Sequence, residues 1–310
     1  MQPGSLRYER PIEPNLVPTV LLKVMPRWKF NRIVPGLIAI CLFATVCPAA
    51  ESAVDELIKQ SYTAYQSKDI SGAIELATKA VKEHPQSVAA WAYRANLYGG
   101  LRQYEKSIAD YTNVLKLNPK HPGAYQERGS AYFRQAKLTE AIADWDKFIE
   151  LLPSREPHHW QRGIAYYYAG RYQEGRRQFT IHQTVNSADV ENAVFHFICT
   201  AKGLNLAQAK KEFIEIEGDS RVPMFEIHGL FAGKKSVEDV LKAAQSGREQ
   251  NRAHQLFYAN YYLGLYYESH GDDKKAREFI LKAAKDADEN GYMGDCARVH
   301  AVLLKRKDSK

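Results

Sequence analysis

Between residues 88 and 121 the apolar positions fall at helical spacing. Trp91, Ala95 and Tyr98 follow one another at i, i+4 and i+7, and after a short break Tyr104, Ile108, Tyr111 and Leu115 do the same. Residues so spaced share one face of an α-helix, so the segment predicts two amphipathic helices joined by a tight turn. Pro119 stops the second helix, because proline cannot continue the hydrogen-bond ladder. The pattern then returns every 34 residues. Tyr98, Tyr132 and Tyr166 share one phase; Arg94, Arg128 and Arg162, each followed by Ala95, Gly129 or Gly163, share a second; Pro85, Pro119 and Pro153 share a third. Three phases kept in step mark an internal repeat, whose units cannot bury their apolar faces alone and must stack into a solenoid. The prolines frame units at 54–87, 88–121, 122–155 and 156–189. Small residues recur where paired helices must approach closely: Ser61 and Ala73, Ala95 and Ser107, Gly129 and Ala141, Gly163 and Gly175.

The arrangement resembles the tetratricopeptide repeat, with an aromatic near position 4, a small residue at 8, Tyr at 11, small at 20, aromatic at 24 and Pro at 32. The third unit matches with Tyr125, Gly129, Tyr132, Ala141, Trp145 and Pro153, and departs from the pattern at Phe148. A further unit starts near Phe257, with Leu263, Gly264, Tyr267, Gly271, Ala276 and Ala283. It holds the repeat register within one residue, so 190–256 are expected to be two degenerate helix pairs: 189–202 with 206–217, and 223–231 with 236–245. Residues 293–305 read as a capping helix with a polar tail, since the last unit of a stack would otherwise expose its apolar face. The resemblance implies an all-α, right-handed superhelical solenoid of antiparallel helix pairs, running as one continuous domain after residue 51.

The chain ahead of this array has a different character. From Met25 a basic stretch containing Arg27, Lys29 and Arg32 leads into the apolar run 33–46 and then Cys47-Pro48-Ala49-Ala50. That is the layout of a secretory signal peptide, and the run is short of the roughly 20 apolar residues a membrane span needs. Export is therefore expected, to the periplasm or cell envelope, with cleavage after Ala49 or Ala50. Lipidation at Cys47 and an uncleaved anchor are the alternatives. Residues 1–24 fit poorly ahead of a leader and suggest an over-extended gene start, with Met25 as the true first residue.

Residues 1–50 hold six of the 43 Lys and Arg and two of the 36 Asp and Glu, so the remainder carries 37 against 34, a net of +3. No basic stripe stands out to suggest nucleic-acid binding. Cys199 and Cys296 are the cysteines left after the leader. An exported compartment permits a bridge between them, but their helical setting favours separate thiols.

Catalytic patterns are scarce. The chain has no His-Glu-x-x-His, Gly-x-Ser-x-Gly, phosphate-cradling glycine loop or paired-Cys zinc spacing. His158-His159 points apart on a helix, and His196 with Cys199 at i, i+3 reads as packing. No cofactor, metal or enzyme activity is expected. The aromatics are a better lead. In tetratricopeptide proteins the first helix of each pair lines a concave groove, and the positions carried over here are Tyr62, Tyr65, Asn96, Gln126, Ser130, Phe133, Arg134, Trp160, Ile164, Tyr167 and Tyr168. Tyr and Trp bury large area at low rotamer cost and keep a polar tip, so Trp160, Tyr167 and Tyr168 suggest a partner-binding patch. The competing expectation is that they pack against the helix pair that follows. Domains of this kind that clamp a C-terminal carboxylate resemble one another in Lys at position 5 and Asn at 9, where the first unit has Ile58 and Tyr62. Arg94, Arg128 and Arg162 read either as a ladder for acidic peptides or as partners of acids such as Asp110 and Asp144; the matched phase favours the second.

A narrower resemblance rests on Arg162-Gly163-Ile164-Ala165-Tyr166-Tyr167 and on Tyr262-Leu263-Gly264-Leu265-Tyr266-Tyr267 followed by Gly271-Asp272. These phrases are similar to the NlpI-like bacterial tetratricopeptide lipoproteins, from which the poor lipobox at Cys47 departs. That resemblance implies an adaptor at the cell envelope, often a homodimer, that brings cell-wall hydrolases and a protease together. The expected function is a non-enzymatic scaffold for protein partners. The alternative is a peptidoglycan- or carbohydrate-binding module whose aromatic groove stacks on sugar rings.

Overall fold

The structure, a computed structural model, describes residues 48–246, 248–287 and 291–308, with side chains from Ala53 onward. The proposed gene start, Cys47 and most of the leader lie outside the described residues. Helices follow in pairs: α1 (Pro48–Gln66) and α2 (Ile70–Glu83), α3 (Val88–Gly100) and α4 (Tyr104–Leu117), α5 (Pro122–Arg134) and α6 (Leu138–Leu151). A 3-10 turn over Pro153–His158 precedes α7 (Trp160–Tyr168) and α8 (Tyr172–His182). Then come α9 (Val190–Gly203) and α10 (Leu206–Lys211), α11 (Met224–Phe231) and α12 (Val237–Gln245), α13 (Glu249–Ser269) and α14 (Asp273–Lys285), and a last helix, α15 (Tyr292–Asp308). Among the described residues there is no strand. The described residues divide into two compact units that part inside α3, one ending at Leu97 and the other beginning at Tyr98.

Local rules set the pairs. Five of the pairs, α1/α2, α3/α4, α5/α6, α7/α8 and α13/α14, turn on one residue in left-handed backbone: Lys68 (φ 67°), Arg102 (58°), Ala136 (53°), Gly170 (74°) and Gly271 (79°). The first four lie 34 apart, and behind each an amide closes the turn onto the carbonyl five residues back, as in Gln103 to Tyr98 at 2.8 Å and Arg171 to Tyr166 at 2.8 Å. Only glycine enters this region freely; a residue with Cβ pays about 1–2 kcal/mol there. Helices α2, α4 and α6 end one residue short of a C-cap that precedes Pro85, Pro119 and Pro153. The repeat's small residues are explained by rings. A Cβ on Gly129 would sit 2.7 Å from the Trp145 indole, and one on Gly163 2.7 Å from Phe179.

In the N-terminal unit, Val54, Leu57, Ala80, Val81 and Ala90 form the core. Ser61 donates to the Ala73 carbonyl at 2.7 Å, the close approach expected between α1 and α2, and the Trp91 indole donates to the Pro85 carbonyl at 2.8 Å. Asn96, one of the expected groove residues, is exposed on α3.

In the C-terminal unit a continuous core runs from Phe133 to Ala301. Two of the repeated arginines, Arg128 and Arg162, belong to this unit. Arg128 donates from Nε and Nη2 to the two oxygens of Asp144 at 2.8 and 2.7 Å, and from Nη1 to Thr112 at 3.1 Å. Arg162 reaches Gln178 at 2.7 Å and Asp146 at 2.8 Å. Each guanidinium thus ties the second helix of its own repeat, 16 residues on, to that of the repeat before, 16 residues back. Asp144 is 6% exposed. We expect Arg128→Ala to cost about 2 kcal/mol in urea denaturation, the worth of charge-assisted hydrogen bonds whose buried acceptor is left behind. A loss below about 0.5 kcal/mol, the scale of an exposed ion pair, would show that the bridge holds nothing.

Two elements depart from their expected bounds. The helix expected over 206–217 ends at Lys211, because Phe213 stacks on His228 at 4.7 Å and the Ile214 carbonyl accepts from His228 at 2.9 Å. Tertiary contacts there override helix propensity. Helix α13 starts at Glu249, eight residues before Phe257.

Candidate functional site

The face expected to form an open groove is covered by the chain's own last helix. α15 packs on α14 and also on α5, so that Met293, Gly294, Asp295, Cys296, Ala297, Val299, His300 and Ala301 are all buried. A helix buried on opposite sides is lying between two layers, and a simple cap would bury one face only.

The expected groove residues become its partners. Phe133, fully buried, stacks on Tyr292 at 5.6 Å with the rings 8° from parallel. Trp160 meets the same ring edge-on at 4.8 Å. Tyr168 bonds the Tyr261 hydroxyl at 2.8 Å and donates to the Cys296 carbonyl at 2.9 Å. Tyr167 donates to Glu268 at 2.6 Å, where His300 Nε2 (3.2 Å) and Lys202 (3.4 Å) also converge. Ile164 is 1% exposed. Arg134 donates from Nε to Asp295 at 2.8 Å. Gln126 is held on its other side: its side-chain oxygen accepts from His159 at 2.7 Å and its carbonyl from Trp145 at 3.1 Å. Phe133, Ile164 and Tyr167 are buried and Trp160 and Tyr168 half-buried, so the five do not present an open peptide-binding patch here: most of their apolar area is taken up within the chain. Packing does hold them, against later helices as well as the following pair: Tyr167 lies 5.9 Å from Phe195 on α9.

Asp295, Glu268, His300 and Tyr292, which complete the site, were missed by the sequence pattern. The signal available was Asp295 and His300 interrupting the apolar positions of the capping helix.

The electrostatics of the site are those of a sealed polar layer. Burial raises the Glu268 carboxyl, but His300, Tyr167 and Lys202 outweigh it and hold the acid at about 2. Burial pushes the Tyr167 and Tyr168 hydroxyls well above their ordinary value. His159 accepts from the Arg162 amide at Nδ1 (3.3 Å), which caps α7 and leaves Nε2 to donate to Gln126. Its burial, then the Arg162 charge, lowers it to about 3, so the ring stays neutral.

The remaining candidate chemistry is packed as well. His182 bonds the Pro157 carbonyl at 2.8 Å. Cys199 and Cys296 are free, buried thiols, and burial raises both, which suppresses the reactive thiolate. Cys199 lies in a cleft of ≈ 300 Å³ with Tyr172, Gln173, Arg176, Gly203 and Leu204. Among the described residues no group of three His, Cys, Asp or Glu gathers to hold a metal ion, and no helix is long and apolar enough to cross a membrane.

Residues 88–121 match the tetratricopeptide repeat family model. No curated protein matches the chain. Among solved structures, a tetratricopeptide repeat protein from Parabacteroides merdae is 16% identical, covering 82% of this chain and 99% of its own, with a TM-score of 0.52. MamA is 15% identical over 64% of this chain and 97% of its own, with a TM-score of 0.49. YrrB, described as a tetratricopeptide protein with an unusual peptide-binding site, is 19% identical over 76% of this chain and all of its own, with a TM-score of 0.41. The consecutive helix pairs, the 34-residue register and the repeat matched at 88–121 together give the chain the all-α, paired-helix fold of tetratricopeptide-repeat solenoids.

Proposed function

We propose that the chain is a non-enzymatic scaffold that binds protein partners, exported by the leader read at 25–50 and acting at the cell envelope. The observation that carries this reading is the hold on α15. First helices α5 and α7 take a helix against stacked rings, a backbone carbonyl and an Arg–Asp pair. A surface that satisfies a helix in this way uses the chemistry by which helices from other chains are recognised. The repeat fold supports the same reading, since stacked repeats offer extended surfaces for other chains. The resemblance in the fourth and last full units adds cell-wall hydrolases or a protease as partners, and a homodimer as the working form.

The carbohydrate reading is weaker. It needs open aromatic faces, and Trp160, Tyr167 and Tyr168 are engaged by Tyr292, Glu268 and Tyr261.

Crosslinking the purified chain in envelope extract, followed by sedimentation with purified cell wall, separates the two readings. A scaffold gives a reproducible, saturable set of crosslinked envelope proteins and does not sediment with cell wall alone. Sedimentation with protein-free cell wall and no saturable crosslinks would overturn it.

A further inference from the structure

Among the described residues, three carboxylates gather round one guanidinium where the start of α9 meets the segment between α10 and α11. Arg221 donates to Asp219 from Nη2 at 2.6 Å and from Nε at 3.0 Å. Its Nη2 also lies 3.7 Å from Asp189, and its Nη1 3.6 Å from Glu191. Asp189 has further support: it caps α9, its Oδ1 accepting from the Glu191 amide at 3.0 Å and its Oδ2 from Asn186 at 3.1 Å. The helix N-terminus thus serves Asp189 and leaves the Glu191 carboxylate without that donor.

Glu191 is the odd member. Its Oε1 is sealed from solvent and takes no hydrogen bond among the described residues. Tyr262 on α13, 0% exposed, brings a hydroxyl toward it from the core that is likewise sealed and unpartnered. A buried acid in such a place neutralises, because the charged form has lost its water without gaining partners. Both atoms are beyond the reach of a partner's amine. A proton fits: it removes the charge and supplies a donor for the Tyr262 oxygen. Burial and the Asp189 charge act in the same direction, raising Glu191 to about 7 against the pull of Arg221.

The segment beside it is held at few points. Ile216 and Pro223 are buried at its ends, residues 217–222 between them form no helix, and the Arg221 guanidinium ties them to α9. We propose that Glu191 is the proton-binding group of a latch. Protonated, it lets Arg221 seat the 217–222 segment against α9; ionised, it gains water only as that segment lifts. Lifting alters the surface that carries the exposed side chains of Val222 and Phe225. The latch goes beyond the scaffold reading and stands independently of it.

The groups that face Glu191 come from every side of it. Asp189, Asp219 and Arg221 lie toward the surface, Tyr258, Tyr261 and Tyr262 on α13, and Cys296 on α15. Burial raises the three tyrosines and the thiol, so they stay neutral. His182 on α8 faces Asp189 at 3.9 Å.

Trypsin reports the latch directly, because it cleaves after Arg221 only when that guanidinium leaves the acids for the protease. The cleavage rate in the full chain, divided by that of a free 215–226 peptide at the same pH, removes the protease's own pH response. The closed form keeps its proton up to about 7 and the open form only to the ordinary 4.5, so the latch holds fully below 4.5 and loosens as pH rises to about 7. Between about pH 5 and about pH 8 the relative rate should therefore rise about tenfold or more in the wild type. Glu191→Gln keeps the shape, stays neutral and should hold the low-pH rate throughout. Tyr262→Phe removes a donor from the ionised form and should extend the rise to higher pH.

A flat wild-type profile would overturn the latch, whether or not the glutamine variant folds. So would the same rise in wild type and in Glu191→Gln folded by circular dichroism, which would assign the response to His182. If Glu191→Gln does not fold, Tyr262→Phe decides: an extended rise supports the latch and an unchanged one overturns it.

Discussion

Phe133→Ala should lower the stability of the chain by about 3–5 kcal/mol, the range for truncating a large buried ring. The repeat pattern places Phe133 at a groove position, where truncation would cost little folding energy. In the structure it has no exposed surface and lies against Trp145 at 5.8 Å, Tyr168 at 6.2 Å and Tyr292 at 5.6 Å. Truncation removes contacts with three rings from three separate helices, and close-packed surroundings relax only partly into the space. Thermal melting followed by circular dichroism should show Tm falling by about 10 °C. A change within about 1 kcal/mol would mean that the ring faces solvent and that α15 does not seal this surface.

Glu268→Gln should cost about 3 kcal/mol at neutral pH, and that cost should vanish in acid. The ordinary glutamate value is 4.5, and the contacts from His300, Tyr167 and Lys202 hold Glu268 at about 2 in the folded chain. A carboxyl depressed by folding contributes its full stability above its unfolded value. The contribution declines as pH falls through the interval from 4.5 to 2, because the unfolded chain binds the proton first. Glutamine cannot titrate and still offers an oxygen to Tyr167 and His300, so the variant isolates the charge. Urea midpoints for wild type and variant should be far apart at neutral pH and converge toward pH 2. A gap of the same size at both ends would show that the ionised carboxylate plays no part in holding α15. Other buried groups titrate over the same range, His159 among them, so the informative quantity is the difference between the two proteins.

The repeat frame was legible because its causes are local. A left-handed residue closes each turn, a proline stops each second helix, and a ring demands a glycine opposite it, all within one 34-residue unit. Arg128 and Arg162 could be read as structural for a related reason: their acceptors lie 16 residues away, within the reach of adjacent repeats. The middle of the chain was read less well. Helix propensity runs on past Lys211, but the packing of Phe213 on His228 decides the backbone, and no local pattern carries that information.

The sequence by itself determined an all-α stacked-repeat fold, the phase of its helices, and which tyrosines and arginines recur. Those properties follow from helical periodicity and from residues with special backbone demands, which act over a few turns. Only the tertiary structure decided what the inner face does. Arg134 and Asp295 meet across 161 residues, and Tyr168 meets Cys296 across 128. An amphipathic α15 satisfies its periodicity equally well as a cap on the last pair or as a layer pressed against α5. Burial of Phe133, Ile164 and Tyr167, together with the ion pairs at Asp295 and Glu268, selects the second arrangement, because apolar area and buried charge are satisfied there at once.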